Sequence, residues 1–280
     1  MGFVASWLCG EIGAMPIITL LTDFGARDYF VGAMKGVLLS ANPDATIVDI
    51  THEIPSQDIQ AAAFNLLACY RDFPPGTIHV AVVDPGVGSD RRAILIECAE
   101  QFFVGPDNGL FGWITEREVQ FKARELTNDK FFRQPVSSTF HGRDVFAPVA
   151  AALAAGVSPD EFGATIDRIR TLQPLTPQTV AGGLQGSIIH IDRFGNCITN
   201  FTGEQINEMR IAAGAKLIVG GKAIASFRRF FADPSCADDD LFIVPGSAGF
   251  IEIAAENASA ASILSARRGD EILLRDGDNG

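Results

Sequence analysis

The first half of the chain alternates between two spacings of apolar residues. Short apolar runs predict β-strands over residues 17–21, 46–50, 78–83, 93–98 and 102–104. Elsewhere in this half, apolar residues recur at helical spacing, which predicts helices over residues 30–40, 56–70 and 145–155. Because strands and helices alternate, we expect an α/β fold with a mainly parallel sheet flanked by helices.

The second half has a different pattern. A Pro- and Thr-rich stretch over residues 171–177 is typical of a linker. After it, short strands broken by Gly-containing turns are predicted over residues 187–191, 216–219, 241–244 and 250–254, a texture that favours a small β-barrel or β-sandwich. We therefore predict an N-terminal α/β domain over residues 15–170, a linker over 171–180 and a C-terminal β domain over 181–276.

Charge and cysteine content exclude several classes of protein. The formal net charge of −12 argues against nucleic acid as a partner, because nucleic-acid binders need a basic surface to displace counterions. No apolar run approaches the roughly 20 residues of a membrane span, so no membrane partner is expected. The five cysteines are scattered and form no C-x-x-C pair. This argues against a zinc site or a disulfide framework and predicts a reducing, cytoplasmic location.

The first fourteen residues are apolar and resemble a targeting signal in that respect alone. They lack a basic n-region and include Glu11, so we do not expect a secretory signal peptide. Met15 is a candidate for the natural start. In that case residues 1–14 are an extension that packs loosely or not at all.

The stretch after the third predicted strand carries the first candidate chemistry. It reads DPGVGSDR over residues 84–91, so a carboxylate and a guanidinium stand seven residues apart across a Gly-rich turn. Asp84 follows a buried strand, where open α/β sheets place their ligands, and Arg91 could help it hold a small nucleophile. Asp-Pro-Gly is also ordinary turn chemistry, and this stretch alone does not decide between the two interpretations.

Further motifs surround this turn in a fixed order. They are TDFG at residues 22–25, DPGVG at 84–88, GPDNG at 105–109, FHGRD at 140–144 and DRFGN at 192–196, with Asp28 shortly after the first. In this order they resemble the S-adenosyl-L-methionine (SAM) hydroxide adenosyltransferases, the hydrolase relatives of the fluorinase and chlorinase enzymes. The resemblance runs from about Met15 to Leu274. Several separate motifs in one order are much more specific than any single tetrapeptide.

The resemblance implies hydrolysis of SAM to adenosine and L-methionine, without a metal or a redox cofactor. Displacement at the ribose C5′ expels a neutral thioether that needs no proton, so only the incoming water requires help. Water, with a pKa of about 15.7, needs a proton acceptor and groups that stabilise the developing hydroxide. Asp84, Arg91 and His141 match that requirement.

The roles within this set are partly determined by chemistry. Arg91 stays protonated, so it should hold the oxygen as hydroxide character develops. Asp84 can accept the proton or balance the charge, and His141 can share the proton or orient the water; these alternatives stay open. Arg92 is the rival of Arg91, but the family's arginine stands seven residues after the aspartate, which selects Arg91. The remaining histidines are interpreted as structural or solvated: His52, His79 and His190.

The resemblance also implies residues that bind the ribose and the methionine part of SAM. Asp23 would accept both ribose hydroxyls. Asp28 and Asp192 would receive the ammonium group, and Ser247 would lie near the carboxylate. Each aspartate has a structural alternative, because Asp23 and Asp28 could cap the helix that begins near residue 30 and Asp192 could begin a turn.

Adenine recognition is implied for three more residues. Phe231 would stack on the adenine, Phe194 would pack nearby and Asn196 would contribute to adenine recognition. Aromatic side chains are more often part of a core than of a ligand platform, which is the alternative for both phenylalanines. The family also implies a homotrimer, with each site between the N-terminal domain of one subunit and the C-terminal domain of its neighbour.

Departures from the fluorinase pattern argue for water as the nucleophile. Fluorinases carry tyrosine, serine and tryptophan where this chain has Asp84, Gly142 and Gln57, and they have a long insertion before the turn at residues 105–109. An acidic group would repel a halide, whereas it helps a water that must lose a proton. A halide-using transferase is therefore disfavoured. A non-catalytic sensor of SAM or adenosine is the other alternative, and it would have no need of a water-activating cluster.

Overall fold

The computed structural model describes residues 17–118, 120–233 and 240–277. The interpretations of Met15 and of residues 1–14 lie outside the described residues, as do Cys9 and Cys236. The chain forms two compact units. Over the described residues, the first unit comprises 17–58, Phe73–Asn108 and Glu118–Ile169, and the second comprises Ile59–Asp72, Gly109–Arg117 and 170–277.

Strands and helices alternate in the first part of the chain, and strands dominate the rest. The strands are β1 Ile17–Thr22, β2 Thr46–Thr51, β3 Ile78–Val82, β4 Ala93–Cys98, β5 Gln101–Pro106, β6 Phe121–Glu125, β7 Thr165–Ile166, β8 Gln178–Val180, β9 Gly183–Ile191, β10 Cys197–Thr202, β11 Lys216–Val219, β12 Lys222–Ile224, β13 Leu241–Pro245, β14 Phe250–Ala255 and β15 Glu271–Arg275. The α-helices are α1 Phe30–Ala41, α2 Ile59–Cys69, α3 Gly112–Arg117, α4 Ala147–Ala154, α5 Glu208–Ala212 and α6 Ala260–Leu264. A π-helical turn, Gly142–Phe146, leads directly into α4.

The first unit is built on a mixed sheet with the strand order β2-β1-β3-β5-β4-β6-β7. Strands β2, β1, β3 and β5 are parallel, and β4, β6 and β7 join through antiparallel pairs. Helix α4 packs on β1 and β3, and α1 packs on α4. Apolar residues of these strands and helices form one buried cluster, including Leu20, Met34 and Val80. The predicted α/β class is confirmed, with more antiparallel pairing than the sequence indicated.

A tight hairpin accounts for the antiparallel pairing of β4 with β5. The two strands are joined by Ala99 and Glu100 alone, and both residues have positive φ, at 52° and 59°. Such turns usually contain Asn-Gly or Asp-Gly, because a side chain disfavours positive φ. The Ala-Glu sequence therefore does not announce the hairpin.

The second unit contains a nearly closed antiparallel sheet. Its strand order is β12-β11-β15-β9-β10-β14-β13, with β8 paired to β9, and β12 contacts β13. The predicted barrel-like architecture is confirmed. Helix α2 packs against α3 and β9 in this unit, where the ring of Phe64 stacks on His190 at a centroid distance of 4.4 Å.

Two further properties of the described residues bear on the expectations from sequence. His79 in β3 is buried, and its Nδ1 lies 2.7 Å from the hydroxyl of Thr19, so it is structural as predicted. Burial lowers the pKa of His79 to about 4. Across residues 17–118, 120–233 and 240–277, every helix falls short of the length and hydrophobicity needed to cross a bilayer.

Candidate active site

Two loops at one edge of the first sheet carry acidic residues. Strands β1 and β3 are parallel neighbours, and Thr22 at the end of β1 pairs with Val82 at the end of β3. Asp23 follows β1 directly, and Asp84 follows β3 after one residue. Because the carboxyl ends of parallel strands meet at one edge, the topology of the sheet brings these two segments to the same edge.

The turn after β3 is closed by its own hydrogen bonds. The amide of Val87 donates to the Asp84 carbonyl at 3.2 Å, and the Ser89 hydroxyl donates to the Gly86 carbonyl at 2.7 Å. The Arg91 amide in turn donates to the Ser89 hydroxyl oxygen at 3.2 Å. These contacts bring Arg91 back toward Asp84 just before β4 begins.

Asp84 and Arg91 form a buried, multiply hydrogen-bonded ion pair. The Arg91 Nε lies 2.9 Å from both carboxylate oxygens of Asp84, and its Nη2 lies 2.5 Å from Oδ2. Their side chains are only 5% and 6% exposed. The guanidinium also lies 5.3 Å from the centroid of the Phe146 ring. Charge-assisted bidentate pairs of this kind hold both side chains in a defined geometry.

His141 joins this pair through the same guanidinium. The Arg91 Nη2 lies 2.7 Å from His141 Nδ1. Arginine has donors and no acceptor, so Nη2 donates and Nδ1 must accept, which leaves the proton of the neutral imidazole on Nε2. Burial, with the Arg91 charge as the next cause, holds the pKa of His141 below its ordinary value. The three predicted catalytic residues are therefore brought together by the fold.

Asp144 organises the loop that carries His141. It is completely buried, and it accepts hydrogen bonds from Arg143 Nε at 2.7 Å, Arg143 Nη2 at 2.8 Å and the Ser137 amide at 2.9 Å. Burial opposes ionisation of Asp144, but these hydrogen bonds outweigh it and the pKa lies below its ordinary value. Asp144 lies within the FHGRD motif, yet the sequence did not indicate this role.

The two loops of the cluster press against each other at a glycine. Gly88 has a φ of +79°, and a Cβ at this position would lie 2.2 Å from the carbonyl oxygen of Ser138. A residue with a side chain is therefore disfavoured at position 88, both by the positive φ and by the clash with Ser138. This contact ties the turn that carries Arg91 to the loop that carries His141.

Asp23 and Asp28 lie between β1 and α1. The carboxylate of Asp23 accepts a hydrogen bond from the backbone N–H of Gln57 at 2.8 Å. Asp28 is exposed. The N-cap residue of α1 is Tyr29, so neither aspartate occupies the capping position that was the structural alternative.

In the second unit, Asp192 forms the turn after β9. Its Oδ1 accepts hydrogen bonds from the amides of Phe194 and Asn196, each at 2.9 Å, and its Oδ2 accepts from the Asn196 side chain at 2.9 Å. The turn alternative for Asp192 is thus observed. The hydrogen bond from the Phe194 amide to Asp192 holds the backbone of Phe194 in the turn, and the Phe194 side chain is 70% exposed.

Phe231 and Ser247 occupy exposed turns of the same unit. Phe231 is 51% exposed and packs edge-on against Phe242 at a centroid distance of 6.1 Å. Neither Phe194 nor Phe231 is therefore part of a buried core. Ser247 lies in the turn between β13 and β14 and is exposed.

Glu252 is a further acidic residue that sequence analysis did not single out. It lies in β14 opposite Val244, and its carboxylate packs against Gly246, next to Ser247. Burial and the charge of Asp192 raise the pKa of Glu252. A charged residue within the apolar stretch FIEIAA was the signal that could have drawn attention to it.

The described residues contain no group of three or more His, Cys, Asp or Glu side chains arranged to hold a metal ion. The predicted site residues divide between the two units. Asp23, Asp28, Asp84, Arg91 and His141 belong to the first, and Asp192, Phe194, Asn196, Phe231 and Ser247 belong to the second.

Comparison with known proteins gives consistent matches over most of the chain. Family models described as the SAM hydroxide adenosyltransferase N-terminal and C-terminal domains match residues 18–163 and 186–273. An (R)-S-adenosyl-L-methionine hydrolase of Thermus thermophilus is 35% identical, with 93% of this chain and 100% of that protein covered. A fluorinase of an Actinoplanes species is 27% identical, over 92% of this chain and 97% of that enzyme.

A solved structure is also similar to the chain in fold and sequence. The crystal structure of an uncharacterized conserved protein from Thermotoga maritima matches with a TM-score of 0.84 and 35% sequence identity. The match covers 92% of this chain and 99% of that protein.

Proposed function

Because the chain belongs to the SAM hydroxide adenosyltransferase family, we propose that it hydrolyses SAM to adenosine and L-methionine. The observation that carries this proposal is the buried hydrogen-bonded chain from Asp84 through Arg91 to His141. A protein that only binds SAM has no use for a buried carboxylate, a cation and an imidazole arranged in this way. An enzyme that must activate water does.

The reaction is a displacement at the ribose C5′. The water oxygen forms a bond to C5′ while the bond between C5′ and sulfur breaks, and its electron pair stays on sulfur to give the neutral thioether of methionine. The positive charge of the sulfonium disappears, and the water loses one proton. Arg91 stabilises the oxygen as it acquires hydroxide character, and Asp84 is the anionic acceptor for the proton.

His141 acts on the water as a hydrogen-bond donor. Its Nδ1 is occupied by the Arg91 guanidinium, so the nitrogen left for the water is Nε2, which carries the proton. A donor orients the water oxygen and leaves Asp84 as the acceptor. Of the alternatives that the sequence left open, we therefore propose orientation of the water for His141 and proton acceptance for Asp84.

The remaining ligands are proposed from the family pattern. Asp23 takes the ribose hydroxyls, Asp28 and Asp192 the methionine ammonium, and Ser247 the carboxylate. The exposed position of Asp28 and Ser247 supports these roles, since neither side chain is buried in the core. Asp192 contributes its negative charge while its oxygens hold the turn.

For the adenine, we propose stacking on Phe231 and packing against Phe194, with Asn196 contributing to recognition of the base. The exposure of both rings supports this, because a stacking platform must present one face to its ligand. Asn196 is buried and hydrogen-bonded to Asp192, so its orientation is defined before the ligand arrives.

We also propose the assembly and setting of the enzyme. It would act as a homotrimer with the site shared between neighbouring subunits, without a metal or redox cofactor, in the cytoplasm and without nucleic-acid partners. The neutral leaving group removes the need for a metal as acid catalyst. The scattered cysteines, which form no C-x-x-C pair, support the cytoplasmic location, and the net charge of −12 supports the absence of nucleic-acid partners.

The decisive experiment is hydrolysis in heavy-oxygen water with molar chloride or fluoride present. We expect adenosine as the only nucleoside product, with the label in its 5′-hydroxyl and none in methionine. A 5′-halogenated adenosine as the main product would establish a halide transferase instead. Tight SAM binding without turnover would establish a sensor, and label elsewhere would refute attack at C5′.

A further inference from the structure

A buried arginine supports the turn that carries Phe231. Arg228 is only 3% exposed. Its Nη1 donates to the carbonyl oxygen of Phe231 at 3.1 Å and to the carboxylate of Glu256 at 3.1 Å. Its guanidinium carbon lies 4.0 Å from the centroid of the Phe242 ring.

Burial of this guanidinium has an energetic cost that packing alone does not explain. Its one ion-pair partner within the described part of the chain, Glu256, is largely exposed. The Arg228 Nε is buried and has no hydrogen-bond partner among those residues. An apolar side chain of similar volume would fill the same space without burying a charge, which is often neutral or stabilising. The arginine therefore contributes something that an apolar residue cannot, namely a hydrogen bond to the Phe231 carbonyl oxygen and a cation–π contact with the Phe242 ring.

Both contacts support Phe231, one directly and one through Phe242. Phe231 packs edge-on against Phe242, with an interplanar angle of 79°, and Arg228 stacks on Phe242 as well. The guanidinium thus holds the backbone of Phe231 through its carbonyl oxygen and also packs on the ring that Phe231 leans on. The Phe231 side chain stays half exposed, but its backbone is held in place by the hydrogen bond from Arg228. Because Phe231 is already ordered, less of its conformational entropy is lost when a ligand stacks on the ring.

Another charged pair completes the turn. Asp233 is buried and accepts a hydrogen bond from the Arg229 amide at 3.2 Å, and its own amide donates to the Phe230 carbonyl at 3.1 Å. The Arg229 side chain is exposed, and its Nε lies 3.4 Å from the Asp233 carboxylate. Two adjacent arginines therefore differ sharply, since the first is buried beside Phe231 and the second faces solvent.

We propose that Arg228 is a positioning residue for adenine recognition, which acts by holding Phe231 in the orientation that stacks on the base. This inference rests on the proposed function, because Phe231 is the proposed adenine platform. It assigns to Arg228 an effect on binding of the nucleoside part of the substrate and no effect on the chemical step.

The test compares Arg228→Gln with Arg229→Gln, which removes the same charge one residue away. We expect R228Q to raise KM for SAM and the dissociation constant of adenosine by about tenfold, with kcat within about twofold and inhibition by L-methionine unchanged. R229Q loses only the contact of an exposed guanidinium with Asp233, and exposed pairs contribute little, so it should change KM and the adenosine dissociation constant by less than about twofold. Arg228→Lys keeps the charge but loses the planar fork, so it should recover only part of the adenosine affinity.

A double-mutant cycle separates positioning from general damage to the fold. If Arg228 acts through Phe231, the R228Q/F231A protein should bind adenosine no more weakly than F231A alone. Losses that multiply, or a lowered kcat with unchanged KM, would overturn the proposal. If R228Q does not fold by circular dichroism, the cycle is run with R228K, for which the same two outcomes decide.

Adenosine binding, measured by calorimetry, also distinguishes this proposal from the proposed function. If the unaltered protein binds adenosine but does not hydrolyse SAM, the hydrolase assignment fails while the effect of R228Q on adenosine affinity still decides the role of Arg228. If it hydrolyses SAM and R228Q binds adenosine normally, only the present inference fails.

Discussion

Replacement of Asp84 by asparagine perturbs the catalytic cluster with little change of shape. The substitution removes the anionic acceptor for the water proton, and loss of such a group lowers turnover by about 10²-fold or more. KM should change little, because Asp84 acts on the water rather than on SAM. Arg91 would remain as a buried cation with only neutral acceptors, since its side chain is 6% exposed. An uncompensated buried charge of this kind costs about 3–5 kcal/mol of the free energy of unfolding.

The chain offers a matched control in the neighbouring ion pair. Arg92 donates to Asp107 from Nε at 2.9 Å and from Nη2 at 2.5 Å, and Asp107 is buried. Arg92 is more exposed than Arg91, at 35%, and it also donates to the Arg168 carbonyl at 2.8 Å. Its charge can therefore reach water when Asp107→Asn removes the partner. We expect a loss of about 1–3 kcal/mol and turnover within a few-fold of the unaltered enzyme.

Urea unfolding and chromatographic measurement of adenosine formation give the two readouts for both variants. D84N should be the less stable and by far the less active protein. The reasoning is refuted if D84N keeps turnover within about tenfold of the unaltered enzyme, or if D107N loses as much turnover as D84N. In either case the carboxylate of Asp84 would be a structural partner of Arg91 and not the acceptor of a proton.

Three other predictions concern protonation and assembly. Turnover should fall at acid pH with an apparent pKa below 6.5, because protonation of His141 removes the acceptor for Arg91. The residual turnover of His141→Asn should lack this fall. A fall centred above pH 6.5 would contradict the assignment. The pKa of His79 is 6.5 in the unfolded chain and about 4 in the folded protein. Its contribution of about 3 kcal/mol to the free energy of unfolding is therefore complete above pH 6.5 and is lost as the pH falls through 4. Urea unfolding should detect this loss, and His79→Gln should reduce it; an equal pH dependence in that variant would disprove the origin. If the site is shared in a trimer, inactive Asp84→Ala and Asp192→Ala proteins should regain activity when their subunits exchange, whereas failure despite proven exchange would mean that each chain builds its own site.

Strand and helix positions were largely readable from the sequence because they depend on local periodicity. The apolar run at residues 17–21 is β1, and the run at 216–219 is β11. Pairing direction was less readable, because the hairpin between β4 and β5 uses Ala99 and Glu100 in conformations that neither residue favours. The helix predicted over 145–155 begins earlier, as the π-helical turn from Gly142, because wider hydrogen bonding of this kind has no distinct apolar spacing.

The site, like the fold, was predictable from sequence where it depends on local spacing and less so where it depends on contacts between distant residues. The spacing of Asp84 and Arg91 implies proximity, since a short Gly-rich turn must bring its two ends together. The approach of His141 to Arg91 joins positions fifty residues apart, and only the order of the motifs indicated it. Glu252 and Arg228 belong to no recognised motif, and their importance depends on burial and on neighbours from other strands. Long-range contacts of that kind leave no periodic signal in one sequence.

The contact between Gly88 and the Ser138 carbonyl has a consequence for exchange of segments between relatives. A Cβ at Gly88 would lie 2.2 Å from the Ser138 carbonyl oxygen, so the two backbones are in direct contact at this point and a shift of one requires a shift of the other. A chimera that imports residues 84–91 from a halide-using relative would meet a foreign partner at residues 137–142, and the reverse holds equally. A change of nucleophile preference by loop exchange should therefore succeed only when both segments are exchanged together.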